Sequence, residues 1–295
     1  MRKLIAIVGP TGSGKSALAV TLAKRFKGEV ISADSRHVYR GLDVGSNKIT
    51  RREMRGVPHY LLDVASPRRT FTAAQYQKLA RRKAREIWRR GKIPILCGGT
   101  GLYVQAAIDG TAMPAVKSNP ALRKKLAKRS AGELFALLEQ KDPARAASID
   151  PKNPRRLIRA LEIVEALGRV PRPQTNPLPA NVLMLGISVE KRVLERQMRA
   201  RIRQWLRRGL LKEVGNLLKQ NVPERRIREF GLVYALALKL FKKEIGKEAF
   251  YDSLALDLKR YTKRQMTWFR RDRRIQWLKN PHLALKLADK FLVEK

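Results

Sequence analysis

The chain has 295 residues, of which 65 are lysine or arginine and 25 aspartate or glutamate, for a formal net charge of +40. That excess is far beyond what solubility requires and points to a polyanion partner, unless it reflects a generally basic proteome. A lone cysteine, Cys97, excludes a disulfide framework and a cysteine-based zinc site, and no apolar run nears the ~20 residues that span a bilayer, so a cytoplasmic protein without a membrane partner is expected.

Residues 4–8, Leu-Ile-Ala-Ile-Val, read as a buried strand, and a helix starts near Ala17. Between them stands Gly9-Pro10-Thr11-Gly12-Ser13-Gly14-Lys15-Ser16, which fits the phosphate-loop pattern G-x-x-x-x-G-K-[ST] in its strand-to-helix context. Glycines let such a turn aim backbone N–H groups at an anion, the helix N-terminus adds partial positive charge and Lys15 adds a full one. The Ser16 hydroxyl is placed to reach a bound Mg2+, so a diphosphate cradle with magnesium is expected. A second strand over 30–33 ends at Asp34, whose alternatives are a helix cap and a general base; its place beside the cradle favours the base. Residues 34–48 are irregular and read as a loop over the active crevice. Within it His37 is either a contact to the substrate base or a solvated loop residue.

A short strand is expected over 58–64 and a long helix over 72–90, with Tyr76, Ala80, Ala84 and Ile87 packing inward and a solvated basic face. The strand over 93–97 runs into Gly98-Gly99-Thr100-Gly101, either a second anion-binding turn or a plain glycine-rich one. No acid ends that strand, so the magnesium-holding carboxylate usual in nucleotide hydrolases and kinases is missing. Prolines, among them Pro114, Pro120, Pro143, Pro154 and Pro173, then break the chain into short helices, an apparent helical insertion. Inside it Arg155, Arg156 and Arg159 share neighbouring turns, suited to phosphates in fork geometry or to an ordinary basic surface. A final strand is expected over 181–188, followed by basic amphipathic helices broken at Gly209. The last long helix carries Lys259 to Arg274, where Tyr261, Trp268 and Phe269 interleave with cations, as stacking groups for nucleic acid or as core. The fold expected is therefore α/β: a P-loop NTPase-like parallel sheet flanked by helices, built from residues 1–110 and 180–295, with an inserted small helical domain at 111–179.

Taken together, the phosphate loop at 9–16, Ile31-Ser32-Ala33-Asp34-Ser35, Pro58-His59-Tyr60-Leu61-Leu62-Asp63, Gly98-Gly99-Thr100-Gly101-Leu102-Tyr103, the run 153–162 and Lys263-Arg264-Gln265-Met266-Thr267-Trp268-Phe269-Arg270 resemble the tRNA dimethylallyltransferases. The resemblance implies that dimethylallyl diphosphate, not ATP, lies in the loop, held by Gly9 through Ser16 and by Arg201. It implies transfer of the prenyl group to N6 of the adenosine on the 3′ side of the anticodon, position 37, with loss of pyrophosphate. Asp34 then matches the base, Thr100 the hydroxyl between base and diphosphate, and Lys15 the charge on the leaving group. The tRNA anticodon stem-loop is the implied partner of Asp34, Ser35, Arg36, His37, Arg123, Arg155, Arg156, Leu157, Ile158, Arg159, Gly231, Lys263, Arg264, Gln265, Thr267, Trp268 and Arg270. A monomer is expected. The competing reading is a P-loop ATP-dependent kinase of a small molecule or nucleic acid, with Asp34 activating a hydroxyl.

Overall fold

Apolar runs separated by helices form one wholly parallel sheet in the computed structural model, which describes residues 2–294 other than Pro173, Lys279 and Pro281, and Lys191 by its backbone only. Contacts divide the chain into two units, Met1–Gly110 with Pro177–Lys295, and Thr111–Asn176. The first unit opens with β1 (Lys3–Val8), α1 (Lys15–Arg25), β2 (Gly28–Ser32), the single turn α2 (Arg51–Met54), β3 (His59–Tyr60), α3 (Ala73–Arg89), β4 (Ile93–Gly98) and α4 (Gly101–Asp109). The second unit holds α5 (Pro120–Leu126), α6 (Ala131–Lys141), α7 (Pro143–Ala146) and α8 (Pro154–Leu167). The chain resumes with β5 (Asn181–Ile187), α9 (Lys191–Arg207), α10 (Leu210–Lys219), α11 (Glu224–Glu229), α12 (Leu232–Phe241), α13 (Lys247–Phe269), β6 (Ile275–Leu278) and α14 (His282–Val293).

The strand order is β3-β2-β4-β1-β5-β6. Alternate residues of β1 serve opposite faces. Leu4, Ala6 and Val8 pack with Tyr76 and Ile87 of α3, Tyr103 of α4 and the helices that follow β5, whereas Ile5 and Ile7 pack with Leu18 and Leu22 of α1 and Ala284 and Ala288 of α14. Burial on both faces is why the strand reads as an unbroken apolar run. The chain leaves the sheet after β4 and re-enters as β5 on the other side of β1, paired from Lys3↔Asn181 to Val8↔Gly186. The loops after β1, β2 and β4 thereby gather at the carboxyl edge beside this reversal, where open α/β sheets bind ligands.

Three expectations need correction. The third strand is only His59–Tyr60, because Leu61 and Asp63 take left-handed backbone (φ 61 and 57) and the chain turns away, with Asp63 N–H donating to the His37 carbonyl. The strand at Asn181–Ile187 is not the last: β6 pairs beside it in parallel, Met184↔Ile275 to Ile187↔Leu278. Finally, α13 stops at Phe269, so Arg270 to Arg274 form the connection into β6 rather than helix.

In the second unit prolines open helices more than they break them. Pro120, Pro143 and Pro154 each stand at a first helical position, where the missing N–H costs nothing. Asn119, Asp142 and Asn153 cap those turns by accepting from the N–H groups of Leu122, Arg145 and Arg156. Leu134, Leu138, Leu157 and Leu161 form its core. Pro173 lies outside the described residues.

Candidate active site

The phosphate loop leaves β1 at Gly9 and enters α1 through Gly14, whose left-handed φ of 86 turns the first amides of the helix outward. Lys15 folds back over the loop and donates to the Pro10 carbonyl at 2.6 Å. Burial lowers its pKa to about 8, with Arg201 adding to the effect and Cys97 and Asp34 opposing it. Arg201 reaches the loop from α9: a Cβ on Gly12 would lie 3.4 Å from its Nη1. These groups line a cavity of about 220 Å³ with Ser16, Asp34, His59, Cys97, Gly98 and Gly99. The Cys97 thiol is itself raised to about 11 by burial and so stays protonated.

Asp34 follows β2 at the same edge, and its Oδ1 accepts the Arg36 N–H at 2.8 Å. Burial opposes its charge, but His37, the Arg36 amide and side chain, and Lys15 outweigh that and hold its pKa below the usual carboxylate value. Thr100 Oγ1 accepts the Ser35 N–H at 3.0 Å, which ties the loop to the start of α4. His37 is locked inside the loop, with Nδ1 3.2 Å from Ser32 Oγ and Nε2 3.2 Å from the Ser46 carbonyl. Beyond Asp34 a second cavity of about 130 Å³ opens between Arg36, Phe230, Gly231, Tyr234, Leu258 and Tyr261. Thr11, Asp34 and Ser46 line both cavities.

The glycine-rich turn after β4 faces the first cavity, yet its glycines are demanded by close packing. A Cβ at Gly98 would overlap the Ala33 carbonyl, and one at Gly101 would overlap the Trp268 ring. Trp268 is therefore seated over the start of α4 with part of its ring still exposed, whereas Phe269 is core at 2 % exposure and cannot stack on a nucleotide.

The other residues expected to meet tRNA fall into two groups. Arg155, Arg156, Lys263, Arg264, Thr267 and Arg270 are exposed, and Ile158 is half-buried. Leu157, at 0 % exposure, and Gln265, at 5 %, are interior, so their side chains are not surface contacts. Arg123 and Arg159 are engaged within the second unit by Glu162, whose carboxylate takes both nitrogens of the Arg123 fork (2.8 and 2.7 Å), the Asn119 N–H (2.6 Å) and Arg159 Nη1. Of the three arginines expected to suit phosphates in fork geometry, Arg159 thus meets this buried carboxylate, whereas Arg155 and Arg156 stay exposed.

Sequence reasoning missed Glu213. From α10 its carboxylate accepts the N–H groups of Asp43 (2.8 Å), Val44 (2.7 Å) and Gly45 (3.0 Å) and the Tyr234 hydroxyl (2.8 Å). Lys48, also buried, holds the same loop by pairing with Asp43 and Asp63 at 2.6 Å each. The available signal was an acid on the apolar side of an amphipathic helix, between Leu210 and Leu217.

A phosphate loop on a parallel sheet, with a carboxylate at the next strand end and an aromatic cavity adjoining it, sets the protein among P-loop α/β enzymes. β4 ends at Gly98 and β5 at Ile187, so neither brings the strand-end acid of a kinase. The family model described as IPP transferase matches residues 37–272, and the chain belongs to that family. It is 39% identical over 282 residues to a tRNA dimethylallyltransferase of Thermomicrobium roseum, covering 94% of this chain and 86% of that protein. With the tRNA dimethylallyltransferase of Halalkalibacterium halodurans it shares 40% over 288 residues, 93% and 90% of the two chains. Among solved structures, the full-length tRNA isopentenylpyrophosphate transferase of Bacillus halodurans superposes with a TM-score of 0.73 at 36% identity, covering 99% of this chain and 96% of that one. A eukaryotic dimethylallyltransferase crystallised while acting on tRNA gives 0.74 at 26% identity, with 91% and 70% coverage.

Proposed function

We propose that the protein transfers the dimethylallyl group of dimethylallyl diphosphate to N6 of the adenosine 3′-adjacent to the anticodon of tRNA, position 37, giving N6-isopentenyladenosine and pyrophosphate. The observation that carries this reading is the pair of cavities that meet at Asp34, one lined by the phosphate loop and the other by aromatic side chains. A diphosphate in the first places its allylic carbon toward Asp34, and a flipped-out adenine in the second brings its N6 to the same carboxylate. The N6 lone pair forms the new C–N bond as the allylic C–O bond breaks, and the N6 proton passes to Asp34. Because Asp34 is held ionised, it is ready to accept that proton at neutral pH. Lys15, the loop amides and Arg201 take up the charge on the departing diphosphate. Unpaired anticodon bases make the flip cheap, and the exposed Arg155, Arg156, Lys263, Arg264 and Arg270 suit the surrounding phosphates.

Magnesium fits this donor set. Ser16 offers a hard hydroxyl oxygen that would hold the ion together with oxygens of the diphosphate. When bound, the ion neutralises the leaving group.

The test incubates the protein with magnesium, unmodified tRNA and either labelled dimethylallyl diphosphate or labelled ATP. Label is expected on tRNA from the prenyl donor only. Consumption of ATP without prenyl transfer would sink the proposal.

A further inference from the structure

One residue on α13 ties together two turns that line the phosphate site. Gln265 is 5 % exposed, and its two amide atoms serve two different turns. Oε1 accepts the N–H of Thr11 at 3.0 Å, and Nε2 donates to the Gly99 carbonyl at 2.8 Å. Thr11 belongs to the phosphate loop and lines both cavities, and Gly99 belongs to the turn after β4 and lines the first. Glutamine is suited to this: its planar amide carries a donor and an acceptor side by side without charge. A carboxylate would face the Gly99 carbonyl with no proton to give, and a lysine would leave the Thr11 N–H unpaired.

The helix makes the brace stiff. Tyr261, Gln265 and Trp268 follow at intervals of four and three residues and so share one face. That face sets Tyr261 in the second cavity, Gln265 between the two turns and Trp268 over Gly101. We propose that Gln265 is a positioning residue for the donor: it fixes the crown of the phosphate loop against the Gly99 turn in the shape that binds diphosphate, and it does not contact RNA. This rests on the prenyl-transfer reading for the identity of the donor. The diphosphate part of it is testable without turnover.

The experiment uses the full chain and three readouts: calorimetric affinity for inorganic pyrophosphate in magnesium buffer, KM for dimethylallyl diphosphate, and affinity for unmodified tRNA. Gln265→Met removes both hydrogen bonds at similar volume. Pyrophosphate Kd and donor KM are expected to rise about tenfold, the worth of roughly one hydrogen bond, with tRNA Kd within about twofold of the parent. Gly99→Ala is the second variant. Its Cβ would lie 2.5 Å from Gln265 Nε2, so it displaces the amide from the opposite side and should give the same split between donor and tRNA. Thermal melting confirms that each variant is folded, and Gly99→Ala decides the matter if Gln265→Met is not. An unchanged pyrophosphate Kd in a folded variant, or a loss confined to tRNA affinity, overturns the proposal. Pyrophosphate binding needs no transfer, so the brace is tested even if the protein fails to prenylate tRNA.

Discussion

Asp34 and Lys15 lie in one cavity with their pKa values both pushed down, and the consequences differ. Lowering keeps Asp34 charged throughout the neutral range, whereas for Lys15 it brings loss of charge close to that range. Asp34→Asn keeps the shape and the acceptor toward the Arg36 N–H but removes the base. Turnover is expected to fall about 10²- to 10⁴-fold while tRNA affinity holds, as single-turnover assays and filter binding will report. For Lys15 the charged form attracts diphosphate, so kcat/KM for the donor should decline as pH rises through about 8, the pKa of the free enzyme. Lys15→Arg, which does not titrate, should lack that alkaline limb whatever its absolute rate. A limb that persists in Lys15→Arg would assign the titration to another group.

At the scale of elements, two buried carboxylates hold irregular segments in place. Glu213 on α10 satisfies three consecutive backbone N–H groups of the loop that carries Asp34 and His37. Glu213→Ala leaves them without their acceptor, a loss of about 3 kcal/mol or more at 1–3 kcal/mol for each group left unsatisfied. Both the melting temperature and kcat should drop, and Glu213→Gln, with one acceptor oxygen left, should fall between. An unaltered melting temperature in Glu213→Ala would refute the brace. Glu162 plays the like part within the second unit. Burial opposes its charge, but Arg123, the Asn119 N–H and Arg159 hold its pKa at about 2. A depressed carboxylate stabilises the fold fully above its unfolded value near 4.5 and loses that contribution as pH falls toward 2. Glu162→Ala should therefore cost about 3 kcal/mol at pH 7, a difference from the parent that shrinks on acidification below about 4.5 in denaturant melts.

These same elements show what a sequence can and cannot reveal. β1 and β4, buried on both faces, announce themselves as apolar runs, and the phosphate loop and the glycine-rich turn at 98–101 follow from their ends, as Asp34 follows from the end of β2. β3 has two residues and β6 has four, too few for periodicity to register, and β6 follows a basic run that continues the pattern of α13. Gln265 looks like one more polar residue among surface cations. Its role depends on contacts 254 and 166 positions away, which no local pattern encodes. Arg159 was legible as a fork and Arg123 only through the resemblance, and the carboxylate they grip through neither.

For the whole molecule the question is what the charge of +40 does. Part of it is met internally: Glu29 takes Arg90 and Lys92, Glu162 takes Arg123 and Arg159, and Asp109 with Asp272 takes Arg274. Arg155 and Arg156 are exposed and enter no ion pair among the described residues. If they meet RNA phosphates, each contact releases counterions, and the logarithm of tRNA affinity falls linearly with that of salt concentration. Arg155→Gln with Arg156→Gln should then lower the slope by about two and weaken binding most at low salt, with little effect on stability. Arg123→Gln is the control that separates position from charge. It removes one positive charge as well, but from a group bound to Glu162, so it should lower the melting temperature and leave the slope nearly as it was. A basic composition without a specific phosphate footprint predicts the opposite pattern, in which all three substitutions shift the slope by small amounts in proportion to the charge removed. Titrating tRNA binding across salt for the parent, the double variant and Arg123→Gln distinguishes the two, because only a footprint makes the location of a lost charge matter more than its number.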